Sequence, residues 1–125
     1  MSSPQDSLEL VARNEDWIAL LGQMSRGDQS AMGTFYDTTN RLVFGLVLRI
    51  LNDRSTAEEV MIDIYAQVWR QAGTYDKSRG TPLAWLTTIA RSRALDRLRS
   101  GWQDQQRKQP LDELYETPSS ADSPE

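Results

Sequence analysis

The residues best suited to recognition chemistry are cations and aromatics gathered in the second half of the chain. Between Arg70 and Lys108 there are nine Lys and Arg against three carboxylates, Asp76, Asp96 and Asp104. Arg91, Arg93, Arg97 and Arg99 lie within nine residues, with Ser92 among them. A guanidinium donates through a planar fork that matches two phosphate oxygens. Each phosphate it neutralises releases condensed counterions, which makes binding salt-dependent. Just ahead of these arginines, Tyr75, Asp76, Lys77, Ser78 and Arg79 stand between Gly73 and Gly80, and Trp85 follows. Aromatics interleaved with cations suit single-stranded nucleic acid. Stacking on a ring contributes roughly 1–3 kcal/mol per base, and an unstacked base exposes its edge to hydrogen bonding by a polar loop. Trp85 is equally suited to a core position, whereas Tyr75 lies in the loop itself. Taken alone, the arginines also fit an ordinary solvated helix face.

A second set of residues is acidic. Glu58, Glu59, Asp63, Gln67 and Arg70 occupy the polar positions of one helical pattern, with Ile62 among them. An apolar residue inside a charged face fits a protein contact, and single exposed apolar residues are also normal on a plain surface. The same carboxylates invite an enzyme reading, as an acid–base pair or a metal cluster. They lack the supporting groups such sites need: the chain contains no His and no Cys, and no phosphate-binding loop. No cofactor and no metal site are expected, and binding is favoured over catalysis.

The elements that must position these groups read as helices. Trp17, Leu20, Leu21 and Met24 follow helical spacing, which predicts a first helix over 14–25 with Asn14 as its cap and a flexible segment over 1–13. Gly27-Asp28 marks a turn and a new cap. From Asp28 to Leu51, Ala31, Phe35 and Thr38 or Thr39 form one apolar stripe. Leu42, Val43, Leu46, Val47, Ile50 and Leu51 form a denser one. Thr38-Thr39-Asn40 is weak in helix propensity, so a kink or a break is expected there. Asn52-Asp53 stops this helix. Ser55 and Glu58 have the spacing of a capping box before a helix that buries Val60, Met61, Ile64, Tyr65 and Val68. Thr81-Pro82 signals the last helix, a cap followed by proline at the first helical position. Its core face carries Leu86, Ile89, Ala90 and Leu98, with Leu95 at the edge. No segment alternates as a strand does, so the fold class is all-α, a compact three- to four-helix arrangement. Residues 103–125 read as a flexible acidic linker in which only Leu111, Leu114 and Tyr115 have packing potential.

At 38% hydrophobic and 26% charged residues, 125 in all, the chain has the composition of one globular domain. The net charge of −4 conceals segregation. Residues 1–69 hold five bases and ten acids, and residues 109–125 hold five acids and no base, around the basic middle. Such separation implies different partners on different faces. No basic-plus-apolar leader and no run of about 18 apolar residues occurs, so membrane insertion is not expected and a cytoplasmic location is.

Several of these pieces recur together, in order, in one family. Phe35-Tyr36-Asp37, Leu48-Arg49-Ile50-Leu51, Asp53-Arg54, Ala57-Glu58-Glu59-Val60, Val68-Trp69, Tyr75-Asp76 and the run from Ala84 to Asp96 (AWLTTIARSRALD) resemble region 2 of bacterial extracytoplasmic-function (ECF) sigma factors over residues 14–102. The resemblance implies a promoter-recognition subunit of RNA polymerase. The helix from Thr56 to Ala72 would dock on the clamp helices of the largest polymerase subunit through Glu58, Glu59, Ile62, Asp63, Gln67 and Arg70. The loop 73–80 and the start of the last helix would capture the non-template single strand of the −10 element. Tyr75, Asp76, Lys77, Ser78, Arg79, Trp85, Arg91, Ser92, Arg93 and Arg97 would be on the DNA side. An anti-sigma factor that covers these surfaces is a further implied partner. The second helical domain of the family, region 4, is expected to be missing here, since the residues after Gln109 read as linker. The competing reading is a helical regulatory adaptor that binds only protein, with the arginines serving an acidic partner.

Overall fold

The computed structural model describes the backbone of residues 4–108 and the side chains of residues 13–102. Four helices account for nearly all of it: α1 (Pro4–Ser25), α2 (Gln29–Leu51), α3 (Arg54–Gln71) and α4 (Pro82–Lys108). Two short 3₁₀ turns, Ala72–Thr74 and Lys77–Arg79, shape the loop between α3 and α4. No strand occurs among the described residues, in keeping with the all-α expectation.

α2, α3 and α4 each begin where a side chain satisfies orphan amides. The Asp28 carboxylate accepts from the amides of Ser30 and Ala31 at 3.0 and 3.2 Å and so opens α2. The Thr81 hydroxyl accepts from the Ala84 amide at 3.1 Å, and Pro82 takes the first helical position. α3 is capped differently from expectation. Asp53 accepts from the Thr56 amide at 3.1 Å and from the Thr56 hydroxyl, which leaves Ser55 inside the first turn, not at its cap. Glu58 pairs instead with Arg54 at 3.5 Å. A carboxylate two residues upstream is simply the better acceptor. α2 ends on Asn52, the one non-glycine residue at positive φ (52°) among those described, whose amide donates to Leu48 O at 2.7 Å.

Two other expectations give way to longer helices. α1 begins at Pro4, so Asn14 lies mid-helix and the segment expected to be flexible is helical from residue 4 onward. Proline is preorganised for a first helical turn, and the residues that follow contain no glycine or second proline before Gly22. At the other end α4 passes Gly101 and continues to Lys108, because Gln, Arg and Lys sustain a helix and the next proline is Pro110. Residues 109–125, including Leu111, Leu114 and Tyr115, lie outside the described residues.

The core sits where α1, α3 and α4 all pack on α2. Trp17, Leu21 and Met24 of α1, Phe35, Val43 and Val47 of α2, Val60, Ile64 and Val68 of α3, and Leu86, Ala90 and Ala94 of α4 are buried together. Leu98 is only half-buried and Leu42 is half-exposed. α2 crosses this core without a break at Thr38-Thr39-Asn40. The threonines there satisfy themselves against their own helix and then serve its neighbours. Thr39 Oγ donates to Phe35 O at 2.8 Å, which leaves its oxygen to accept from the Tyr65 hydroxyl of α3 at 2.7 Å. Trp17 Nε1 of α1 donates to the Thr38 hydroxyl at 3.0 Å. The weak spot of the sequence is the polar seam that registers three helices.

Candidate protein- and nucleic-acid-docking faces

The α3–α4 connection is braced from within. Tyr75 is half-buried, its ring edge-on to Trp85 with centroids 5.7 Å apart. Its hydroxyl donates to Gly80 O at 2.7 Å and closes the loop across five residues. Gly80 adopts φ 150° and ψ 173°, a conformation essentially reserved for glycine. Asp76 caps the second 3₁₀ turn by accepting from the Ser78 amide and hydroxyl at 2.9 and 2.8 Å. The Ser78 hydroxyl and amide, with Arg79 nearby, hold the Asp76 carboxyl below its usual range, so it stays anionic. Tyr75, Asp76 and Ser78 therefore spend their polar atoms on the loop itself. Lys77 and Arg79 are exposed and form no ion pair among the described residues. Trp85 is half-buried against the core and not sealed inside it. Beneath the loop, a cleft of about 210 Å³ opens between Ile18, Leu21, Gly22 and Ser25 of α1 and Ala72, Gly73, Tyr75 and Lys77.

On α3 the expected docking positions share an outward face. Glu58, Glu59, Asp63 and Arg70 are exposed and Gln67 is half-buried. Ile62 is 72% exposed among them, the most exposed large hydrophobic side chain among the described residues. Arg70 stands in the last turn, where a cation complements the helix dipole.

Along α4 the arginines divide. Arg91 and Ser92 are exposed, and Arg91 has no ion-pair partner among the described residues. Arg93 and Arg97, one turn apart, reach over to α3. Arg93 Nε donates to Gln67 Oε1 at 2.6 Å, and Arg97 pairs with Glu59 at 2.8 Å. Arg99 pairs with Asp96 on its own helix. Two residues assigned by resemblance to the DNA side are thus hydrogen-bonded to two assigned to the polymerase side. Partners 26 and 38 residues apart leave no local signal in the sequence. Trp102, 46% exposed at the far end of α4, is a further aromatic that reading the sequence passed over. Its position three residues after Arg99 was the available clue.

Among the described residues, no group of three or more His, Cys, Asp or Glu is arranged to hold a metal ion. None of the described helices is long and apolar enough to cross a membrane.

A helical bundle whose α3 face, aromatic–basic loop and arginine-bearing α4 adjoin in this order is the architecture of a sigma factor domain. The family model described as Sigma-70 region 2 matches residues 35–103, over half of the chain, and the chain belongs to that family. Its relatives narrow the group. It is 47% identical over 96 residues to the ECF RNA polymerase sigma factor SigK of Mycobacterium ulcerans, an alignment covering 77% of this chain and 51% of that protein. It is 49% identical over 93 residues to the ECF sigma factor SigK of Mycolicibacterium vanbaalenii, covering 74% and 46%. The SigK of Mycobacterium tuberculosis (strain H37Ra) is 45% identical over 86 residues, covering 69% and 46%. The chain thus spans about half the length of the curated relatives it matches, and the resemblance to ECF region 2 is borne out.

Proposed function

We propose that this chain is the part of an ECF sigma factor that docks on core RNA polymerase and captures the unwound −10 element during transcription initiation. The observation that carries the proposal is the juxtaposition, on a member of the sigma-70 region 2 family, of the exposed Ile62-centred face of α3 with a braced loop whose free cations are Lys77 and Arg79. Docking uses Glu58, Glu59, Ile62, Asp63, Gln67 and Arg70 against the clamp helices of the largest polymerase subunit. Ile62 supplies the apolar centre that a protein contact needs, and the surrounding charges set orientation.

Strand capture uses the loop and the start of α4. Lys77, Arg79 and Arg91 take phosphates of the non-template strand. The exposed flank of the Tyr75–Trp85 pair meets unstacked bases, with Asp76, Ser78 and Gly80 holding the loop in shape. Arg93, Ser92 and Arg97 adjoin this track. The work is binding, with no bond made or broken, and it takes place on cytoplasmic polymerase. An anti-sigma factor that covers the same two faces is the regulator consistent with this surface.

Pull-down of purified core polymerase tests the reading. The chain should retain the polymerase, and an Asp63→Arg, Gln67→Ala variant of unchanged helicity should lose it. Failure of the unaltered chain to retain polymerase would sink the proposal.

A further inference from the structure

Glu59 and Gln67 are the only side chains of α3 that hold arginines of α4 among the described residues. Both lie on the face proposed for polymerase docking, and both of their partners lie on the helix proposed for the DNA side. Resting on that reading, we infer that Glu59 and Gln67 are positioning residues for the strand-binding arginines: while α3 is free they tie Arg97 and Arg93 to the docking face, and a partner that engages α3 releases them to phosphate.

The chemistry of the two rungs supports an exchange. Arg97 and Glu59 keep 41% and 59% of their side-chain surface exposed, so the pair is reached from solvent and separates without opening the core. An exposed pair of this kind is a weak restraint that one new contact to either partner offsets. Gln67 is committed on both sides, since its carbonyl accepts from Arg93 and its amide donates to Gln71 Oε1 at 3.2 Å. A docked surface that supplies a donor to Glu59 or Gln67 leaves the guanidinium without its acceptor, and phosphate is the acceptor at hand on the neighbouring track. By linkage, a strand that draws Arg97 away frees Glu59 for docking, so each ligand favours the other by the same factor.

The test uses the full 125-residue chain, a short fluorescein-labelled oligodeoxythymidylate and a series of potassium chloride concentrations. Glu59→Gln should bind the oligonucleotide about 2–5-fold more tightly. The slope of log affinity against log salt should steepen by about 0.7, the increment for one further phosphate on a single strand. Glu58→Gln removes the same charge next door, from a carboxylate that pairs with Arg54, and should give a smaller gain with an unchanged slope. In an Arg97→Ala background the Glu59→Gln gain should vanish. Equal gains for the two glutamine variants, a gain that survives Arg97→Ala, or no binding by any variant at the lowest salt overturns the inference. Core polymerase retention, measured in parallel on the unaltered chain, separates the two failures. Loss of retention removes the functional reading, whereas retention without the Glu59 effect removes only the positioning role.

Discussion

Tyr65 and Thr39 join two helices through their hydroxyls, and the burial that surrounds them sets the pH behaviour of the phenol. Tyr65 is 6% exposed and its hydroxyl ends on Thr39, with Tyr36 edge-on at 4.8 Å. Burial pushes its phenol up to about 12 from an ordinary 10.0. The neutral form is thus favoured in the fold, and its contribution is fully present below pH 10 and lost as pH rises towards 12. Two units correspond to about 2–3 kcal/mol, so denaturant titrations should show stability falling across that window more steeply in the unaltered chain than in Tyr65→Phe. Thr39→Val strands the Tyr65 hydroxyl in the core and should cost about 1–3 kcal/mol. Adding Tyr65→Phe to it should recover part of that loss, a non-additivity that a double-mutant cycle reads directly. Simple additivity would mean that the two hydroxyls do not depend on each other.

At the scale of the element, three carboxylates initiate structure, and all three are held below the usual range by the groups they cap. The Ser30 hydroxyl does this for Asp28, the Thr56 hydroxyl for Asp53 and the Ser78 hydroxyl for Asp76. A depressed carboxyl contributes above its unfolded value and is lost as pH falls through the folded one, so these caps weaken below about pH 4. Asparagine caps nearly as well without titrating. An Asp28→Asn, Asp53→Asn variant should therefore melt within a few degrees of the unaltered chain at pH 7, with a shallower loss of melting temperature on acidification to pH 3.

Caps at Asp28 and Thr81 and the stop at Asn52 were legible in sequence because each depends on residues within four positions. The continuity of α2 was not legible, since Thr38 and Thr39 owe their place to Trp17 and Tyr65, across the bundle. The same holds for the candidate site. The loop and its aromatics declared themselves locally, but the rungs from Arg93 and Arg97 to α3 exist only once the helices are packed. Asp53 displaced Ser55 as cap by a difference of acceptor strength that spacing alone does not weigh.

For the molecule as a whole, acidic and basic charge are segregated along the chain. Residues 1–69 carry twice as many acids as bases, and this field opposes the approach of a polyanion even as Lys77, Arg79 and Arg91 attract it. Unpairing bases costs a few kcal/mol, which one loop does not offset alone. Affinity of the isolated chain for paired −10 DNA should therefore be low. It should rise by at least tenfold when core polymerase is present, and tight sequence-specific binding of the isolated chain to duplex promoter would contradict this. Replacing Tyr75 and Lys77 together by Ala should lower strand capture about 10-fold or more, given the 1–3 kcal/mol of an aromatic contact, and leave polymerase retention intact. Equal loss of both would assign the pair to the fold.

The uninterrupted course of α4 has one more consequence, and it is angular. Twenty-seven residues form a rod about 40 Å long that starts at the loop after α3. Along such a rod each residue turns the path by about 100°, so the azimuth at which α4 ends on Lys108 is fixed by a residue count. One alanine inserted after Gly101 would swing that azimuth by more than a quarter turn, and seven would nearly restore it. The helix thereby carries a phase as well as a distance.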